Sequence, residues 1–412
     1  MLIQEKAVLR EPLWTQDFIK IWFLNFAIAS WAFLLMATFP FYIKHLGGTE
    51  MTVGLTAGGF ALACIIMRPL AGWSLDNKSR SDLLRYNVIV LAIISALFMI
   101  MPILGLAVAL RLLSGFVFSG VSTASNTNAC DIIPKNRFSE GMAFFGLGNT
   151  FASALGPALG LFIMTQHGFN ATFTTITAFI LIAIAASLGL KYKKVQRRRF
   201  RANIKRLKLS DLFNSSALPA SVLVFYATVG FGAVSPFIAL YGQYSGLGSG
   251  GIFFVLLALG TGSTRLFSGH LADKKGEKPM VFLGNISFLL GYLLLLFESS
   301  IAYYLSGLFF GLGAGLLFPS MQAMAVRIVP PEKRGAASST FLCSADIGTG
   351  LGAMIAGILV TVWGYRPMFG AMIIFVVLAL LTYVLWASKT PSAFKNYMQT
   401  HSPGTDSSVQ KT

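Results

Sequence analysis

At 412 residues the chain could hold two or three soluble domains, but 55% of it is hydrophobic, 11% is charged and its mean hydropathy is +0.71. Soluble domains are about one quarter charged, so these values exclude a soluble protein, while 36 phenylalanines and three cysteines exclude disorder and a disulfide-stapled fold. The net charge of +17 would suggest nucleic acid in a soluble chain; here the basic residues cluster between apolar runs, so they read as topology signals and no nucleic-acid partner is expected.

A helix crosses the hydrocarbon core with about 20 apolar residues. In chain order, such runs are Phe18–Ile43, Met51–Leu75, Tyr86–Gly105, Leu106–Ala129, Gly141–Gln166 and Ala171–Leu190. A second set follows at Ala217–Tyr241, Gly251–Leu271, Met280–Phe297, Ile301–Ala325, Ala336–Trp363 and Met368–Trp386. The reading is an all-α membrane protein with twelve transmembrane helices. If both termini are cytoplasmic, the opposite loops hold only Lys44 and Arg366, and Arg68, Arg111 and Arg265 fall within or at the ends of spans. All other Lys and Arg lie on the side of the termini, which predicts cytoplasmic N- and C-termini in a multi-pass plasma-membrane protein. Residues 1–17 mix acids and bases and are not expected to be a secretory signal. Cys64, Cys130 and Cys343 stand singly and read as packing residues.

Lys191–Lys208 carries ten basic residues and no acid, and reads as a solvated linker between two sets of six spans. The expected organisation is residues 1–190 as an N-terminal half, 191–216 as the basic linker, 217–387 as a C-terminal half and 388–412 as a polar tail. An internal repeat supports the division. Arg68, Gly72 and Asp76 recur as Arg265, Gly269 and Asp273, and the same shift of 197 relates Pro134 to Pro331, Arg137 to Arg334 and Gly160 to Gly357. Two pseudo-symmetric six-helix halves suit a transporter that rocks around a site near the midplane.

Gly72-x-x-x-Asp76-x-x-x-Arg80 resembles motif A of the major facilitator superfamily, and its second copy, Gly269 to Lys278 with Asp273, is nearer that pattern. With Pro-Pro-Glu-Lys-Arg-Gly at 330–335, the resemblance covers about residues 18–387. It implies that Asp76, Arg80 and Asp131 form a network that latches the cytoplasmic side, with Gly72 allowing close helix approach. Gly156-Pro157-Ala-Leu-Gly160 in the fifth span resembles the motif C core of antiporters, although the position after Gly160 is Leu161. Its small residues would permit close contact with a helix of the other half, and ordinary membrane packing is the competing account.

Arg111 lies about 9 Å from the outer end of the fourth span at 1.5 Å per residue. It opens a stretch resembling motif B of drug:proton antiporters, so proton coupling and snorkelling to the headgroups both remain open. Asp346 is the sharpest residue. It lies about 15 Å into the eleventh span, where a carboxylate is costly and suited to taking up and releasing a proton. Its counterpart at the 197 shift is Asn149, so the site is polar in both halves and titratable in one. Arg68 and Arg265 are expected to snorkel or cap at cytoplasmic ends.

By family resemblance, spans one, four, seven and ten line the cavity, with Asn25, Asn126, Tyr226, Tyr241 and Gln322 as polar and aromatic candidates. No phosphate loop is present and the four histidines lack metal-ligand spacing, so no cofactor, metal or enzymatic activity is expected. The reading is a proton-coupled, monomeric exporter of a small amphipathic molecule or drug. Alternatives on the same fold are an uptake symporter, an exporter of a sugar, metabolite or opine-type metallophore, and, more distantly, a lipid flippase.

Overall fold

The computed structural model describes residues 12–77, 80–100, 102–134, 137–190, 214–275, 277–327, 329 and 334–387. The basic run at 191–208 and the tail beyond 387 lie outside them.

Helix α1 spans Gln16–His45; Thr15 caps it by accepting from the Phe18 amide at 3.2 Å, Asp17 lies in its first turn, and Lys44 and His45 lie in its last. The charges of Asp17 and Lys44 therefore complement the helix dipole. Then come α2 (Glu50–Asn77), α3 (Arg80–Ile100) and α4 (Leu104–Ile132). The α3–α4 boundary falls a few residues before the Gly105/Leu106 division expected from hydropathy. Pro102 sits in that break, and a proline disfavours helical geometry in the residue before it. A helical stretch Phe138–Leu188 is broken at Gly168, whose φ of 77° is left-handed, giving α5 over 138–167 and α6 over 169–188.

After a short turn at Ser215–Ala217 come α7 (Leu218–Tyr244), α8 (Gly250–Lys275), α9 (Lys278–Leu295), α10 (Ser300–Arg327), α11 (Arg334–Trp363) and α12 (Tyr365–Thr382). Among the described residues, ten segments are long and apolar enough to cross a bilayer, and Gly250–Arg265 is a shorter apolar helix. The periphery carries exposed large apolar side chains such as Ile66, Ile93, Phe162, Leu259, Ile301 and Ile374. That surface has no stable place in water, so the chain is a multi-pass membrane protein.

Helix pairing repeats six helices on. The α1–α5, α2–α4 and α3–α4 contacts recur as α7–α11, α8–α10 and α9–α10. Contact between the two sets runs along α2 against α11 and α5 against α8, a pair of pairs related in the same way. Within the first set, buried polar groups tie helices together: Trp31 Nε1 donates to Ser95 Oγ at 2.8 Å and the Tyr42 hydroxyl to the Phe98 carbonyl at 3.0 Å.

At the helix ends remote from residue 16, the two sets meet backbone to backbone. A Cβ on Gly54 of α2 would lie 2.5 Å from the Ala353 carbonyl oxygen and 2.9 Å from Gly357 Cα of α11. Lys44 and Arg366 lie at this same end, and each is paired, with Glu50 at 2.8 Å and with Glu298 at 3.0 Å.

Candidate functional site

Between the two sets lies a cavity of about 300 Å³, lined from α1, α2, α4, α5, α7 and α11. That is the size of a small-molecule site. Its wall is mostly apolar and aromatic, with Phe33, Phe39, Phe60 and Phe118, and two prolines inside helices, Pro40 of α1 and Pro236 of α7, border it. Its charged lining residues, among those described, are Arg68, Arg111 and Asp346.

Asp346 sits twelve residues into α11 and lines the cavity opposite its repeat counterpart, Asn149 of α5. Its Oδ2 accepts from Arg68 Nε of α2 at 2.7 Å, and both side chains are a little over one quarter exposed. Arg68 thus turns inward and joins the two sets of helices instead of snorkelling. A carboxylate this deep is a stronger attractor for a guanidinium than headgroups about two helical turns away. Arg265, its repeat counterpart in α8, does the same toward α5, donating from Nη1 to the Thr150 hydroxyl. The expected snorkelling or capping role is therefore corrected for both arginines. The two crossings occupy equivalent places and differ chemically: one ends on a carboxylate, the other on a neutral hydroxyl.

Arg111 of α4 is 5% exposed and faces the cavity, which excludes snorkelling to the headgroups in this conformation. Its Cζ lies 4.1 Å from the Phe60 ring centroid and 5.4 Å from that of Phe39. A desolvated guanidinium over an aromatic face gains about 2 kcal/mol. Its Nη1 has no hydrogen-bond partner among the described residues. The Cys64 thiol, also on the cavity wall, donates to the Gly115 carbonyl at 3.2 Å.

The five polar and aromatic candidates proposed from sequence do not line this cavity, and among the described residues none from α10 does. The Asn25 amide is taken by the Phe145 carbonyl at 3.2 Å, and the Tyr241 hydroxyl donates to the Leu295 carbonyl at 3.2 Å, so both stabilise helix contacts within one set. Asn126 is exposed and donates back to the Ser122 carbonyl, Tyr226 is half-buried against Phe225, and Gln322 is exposed. Sequence reasoning did not place the aromatic wall of Phe33, Phe39, Phe60 and Phe118 in the cavity, nor the polar lining residues Arg68, Cys64, Ser235 and Thr349. The 197 shift from Arg265 marked Arg68, but nothing in the pattern indicated its direction.

The expected contact of the motif C glycines with a helix of the other half is also corrected. Gly156 and Gly160 face α1 of their own set: added Cβ atoms would lie 3.0 Å from Phe33 Cβ and 2.8 Å from Leu34 Cγ. Contact with α8 instead uses Ala158 and Leu161, on another side of α5. Pro157 is buried inside the helix. Of the motif A residues, the side chains of Gly72, Asp76, Arg80, Gly269 and Asp273 lie outside the described residues, and Asp131 is exposed at the end of α4.

Residues 21–264 and 249–403 match the family model described as Major Facilitator Superfamily. The chain belongs to this superfamily of transporters. It is 22% identical over 370 residues to the staphylopine export protein of Staphylococcus aureus, covering 85% of this chain and 91% of that one. It is also 22% identical over 332 residues to a multi-drug resistance efflux pump, the PmrA homolog of Lactococcus lactis, covering 77% and 82%. Among solved structures, the nucleoside transporter NupG (D323A mutant) superposes with a TM-score of 0.73 at 13% identity, covering 90% of this chain and 99% of that one. The superfamily's members bind small molecules within the membrane, so the central cavity is the place where a substrate is to be sought.

Proposed function

We propose that the protein is a proton-coupled exporter of a small amphipathic molecule in the plasma membrane, working as a monomer by alternating access. The observation that carries this reading is the Arg68–Asp346 ion pair, which joins α2 to α11 across the cavity. An ionised Asp346 holds the two sets together on that side; a proton on its carboxyl removes the Coulombic attraction, and release of the proton restores it. Proton occupancy and conformation then depend on each other, which is what coupling requires.

The glycine contact of Gly54 with α11 closes the end remote from residue 16. With twelve spans and cytoplasmic termini, that is the outer end, and the conformation is closed to the outside. The domain division read from the sequence, 1–190 and 217–387 joined by a basic linker, supplies the two rocking bodies. Export is favoured over uptake because relatives carry the names of an export protein and an efflux pump.

The test is Asp346→Asn, which keeps size and hydrogen bonding and removes titration. In reconstituted vesicles screened with aromatic acids, cationic dyes and sugars, pH-driven accumulation is lost and exchange of substrate against substrate continues. Gradient-driven transport at wild-type rate would overturn the coupling role of Asp346.

A further inference from the structure

The cavity holds more positive charge than it neutralises. Arg68 is committed to Asp346 at 2.7 Å, whereas Arg111 faces no carboxylate among the described residues of the cavity wall. The surplus is one positive charge, carried by a guanidinium that is 95% buried by its 5% exposure, with Nη1 unpartnered and the flat face stacked on Phe60. Stacking occupies the face of a guanidinium and leaves its in-plane N–H groups for an acceptor. The repeat does not impose this charge, because the residue equivalent to Arg111 at the 197 shift is Leu308.

A lone cation inside a membrane bundle is costly unless something pairs with it, and residues of this kind mark substrate or ion pathways. We propose that the transported molecule is an amphipathic monoanion: a carboxylic acid whose carboxylate forks onto Arg111 and whose apolar or aromatic body lies against Phe39, Phe60 and Phe118. Paired N–H groups match the two oxygens of a carboxylate. A phosphate monoester carries close to two negative charges and would overfill a surplus of one; a cation would add a second unpaired positive charge beside Arg111. The inference rests on the transporter reading above and narrows its substrate class.

The experiment is equilibrium binding to the full-length protein in lipid nanodiscs, with empty nanodiscs as background. The probes are 4-phenylbutyrate, its methyl ester and 4-phenylbutylamine, which share one carbon skeleton and differ in charge. The acid binds at least about ten-fold more tightly than the ester or the amine, Arg111→Gln abolishes that preference, and Arg111→Lys retains part of it as a point charge. Asp346→Asn frees Arg68 and raises the surplus to two, so acid affinity increases several-fold; this second variant decides the matter should Arg111→Gln fail to fold. Ester or amine binding as tight as the acid would overturn the inference. So would an acid preference that survives Arg111→Gln, acid affinity unchanged in Asp346→Asn, or no binding of any probe above background. No proton gradient enters these measurements, so their failure leaves the coupling role of Asp346 to its own assay.

Discussion

Gly54→Ala perturbs one conformation far more than the other. In the present conformation its new methyl would lie 2.5 Å from the Ala353 carbonyl oxygen and 2.9 Å from Gly357 Cα, both backbone atoms that no rotamer change can move aside. Relief requires α2 and α11 to part by several tenths of an ångström at this end. Overpacking of this kind costs about 1–3 kcal/mol. In a conformation open at this end the helices no longer touch and the cost disappears. The equilibrium therefore shifts toward the open state by roughly five-fold to 150-fold, since about 1.4 kcal/mol is a factor of ten.

Native Cys64 reports the change, because it lines the cavity and is 4% exposed. With Cys130 and Cys343 replaced by serine, labelling of Cys64 by a membrane-impermeant maleimide from the outer face accelerates at least five-fold in Gly54→Ala. Gly105→Ala is the control, since a Cβ there meets nothing within 4 Å. Equal labelling rates in the two variants would refute the argument that the α2–α11 glycine contact closes the outer end.

Two further substitutions separate packing from gating. Gly156→Val forces the α1–α5 contact within the first six helices, so it lowers the thermal unfolding midpoint in detergent, by a loss of about 1–3 kcal/mol, and leaves outer-face labelling of Cys64 unchanged; accelerated labelling would restore motif C to the interface between the two sets. Arg68→Ala leaves a carboxylate facing an apolar cavity and costs about 2 kcal/mol, between the values for an exposed pair and a buried one. Arg265→Ala leaves only a hydroxyl and costs about 1 kcal/mol. Unfolding midpoints rank the two, the double variant Arg68→Ala/Asp346→Ala recovers part of the loss, and an equal drop for Arg265→Ala would count against the charge argument.

Much of the architecture was legible without coordinates, because lipid imposes simple constraints on a chain. Apolar runs of bilayer length, the repeat at 197 and the depth of Asp346 follow from position along the sequence. The repeat also paired Asp346 with Asn149, and both line one cavity. Facing direction was not legible. A helix apolar all round has no polar stripe to orient it, so Asn25 and Tyr241 passed for cavity residues when their polar atoms serve neighbouring helices. Gly156 and Gly160 likewise gave no sign of which neighbour they admit. Arginine is ambiguous for a further reason: its stem reaches either headgroups or a partner inside the bundle. Sequence alone determined that Arg68, Arg111 and Arg265 lie within or at the ends of spans. Only the packing of α2 against α11, α8 against α5 and α4 around Phe60 decided that one meets a carboxylate, one a hydroxyl and one an aromatic face, because each choice depends on which group a distant segment brings within about 3–4 Å.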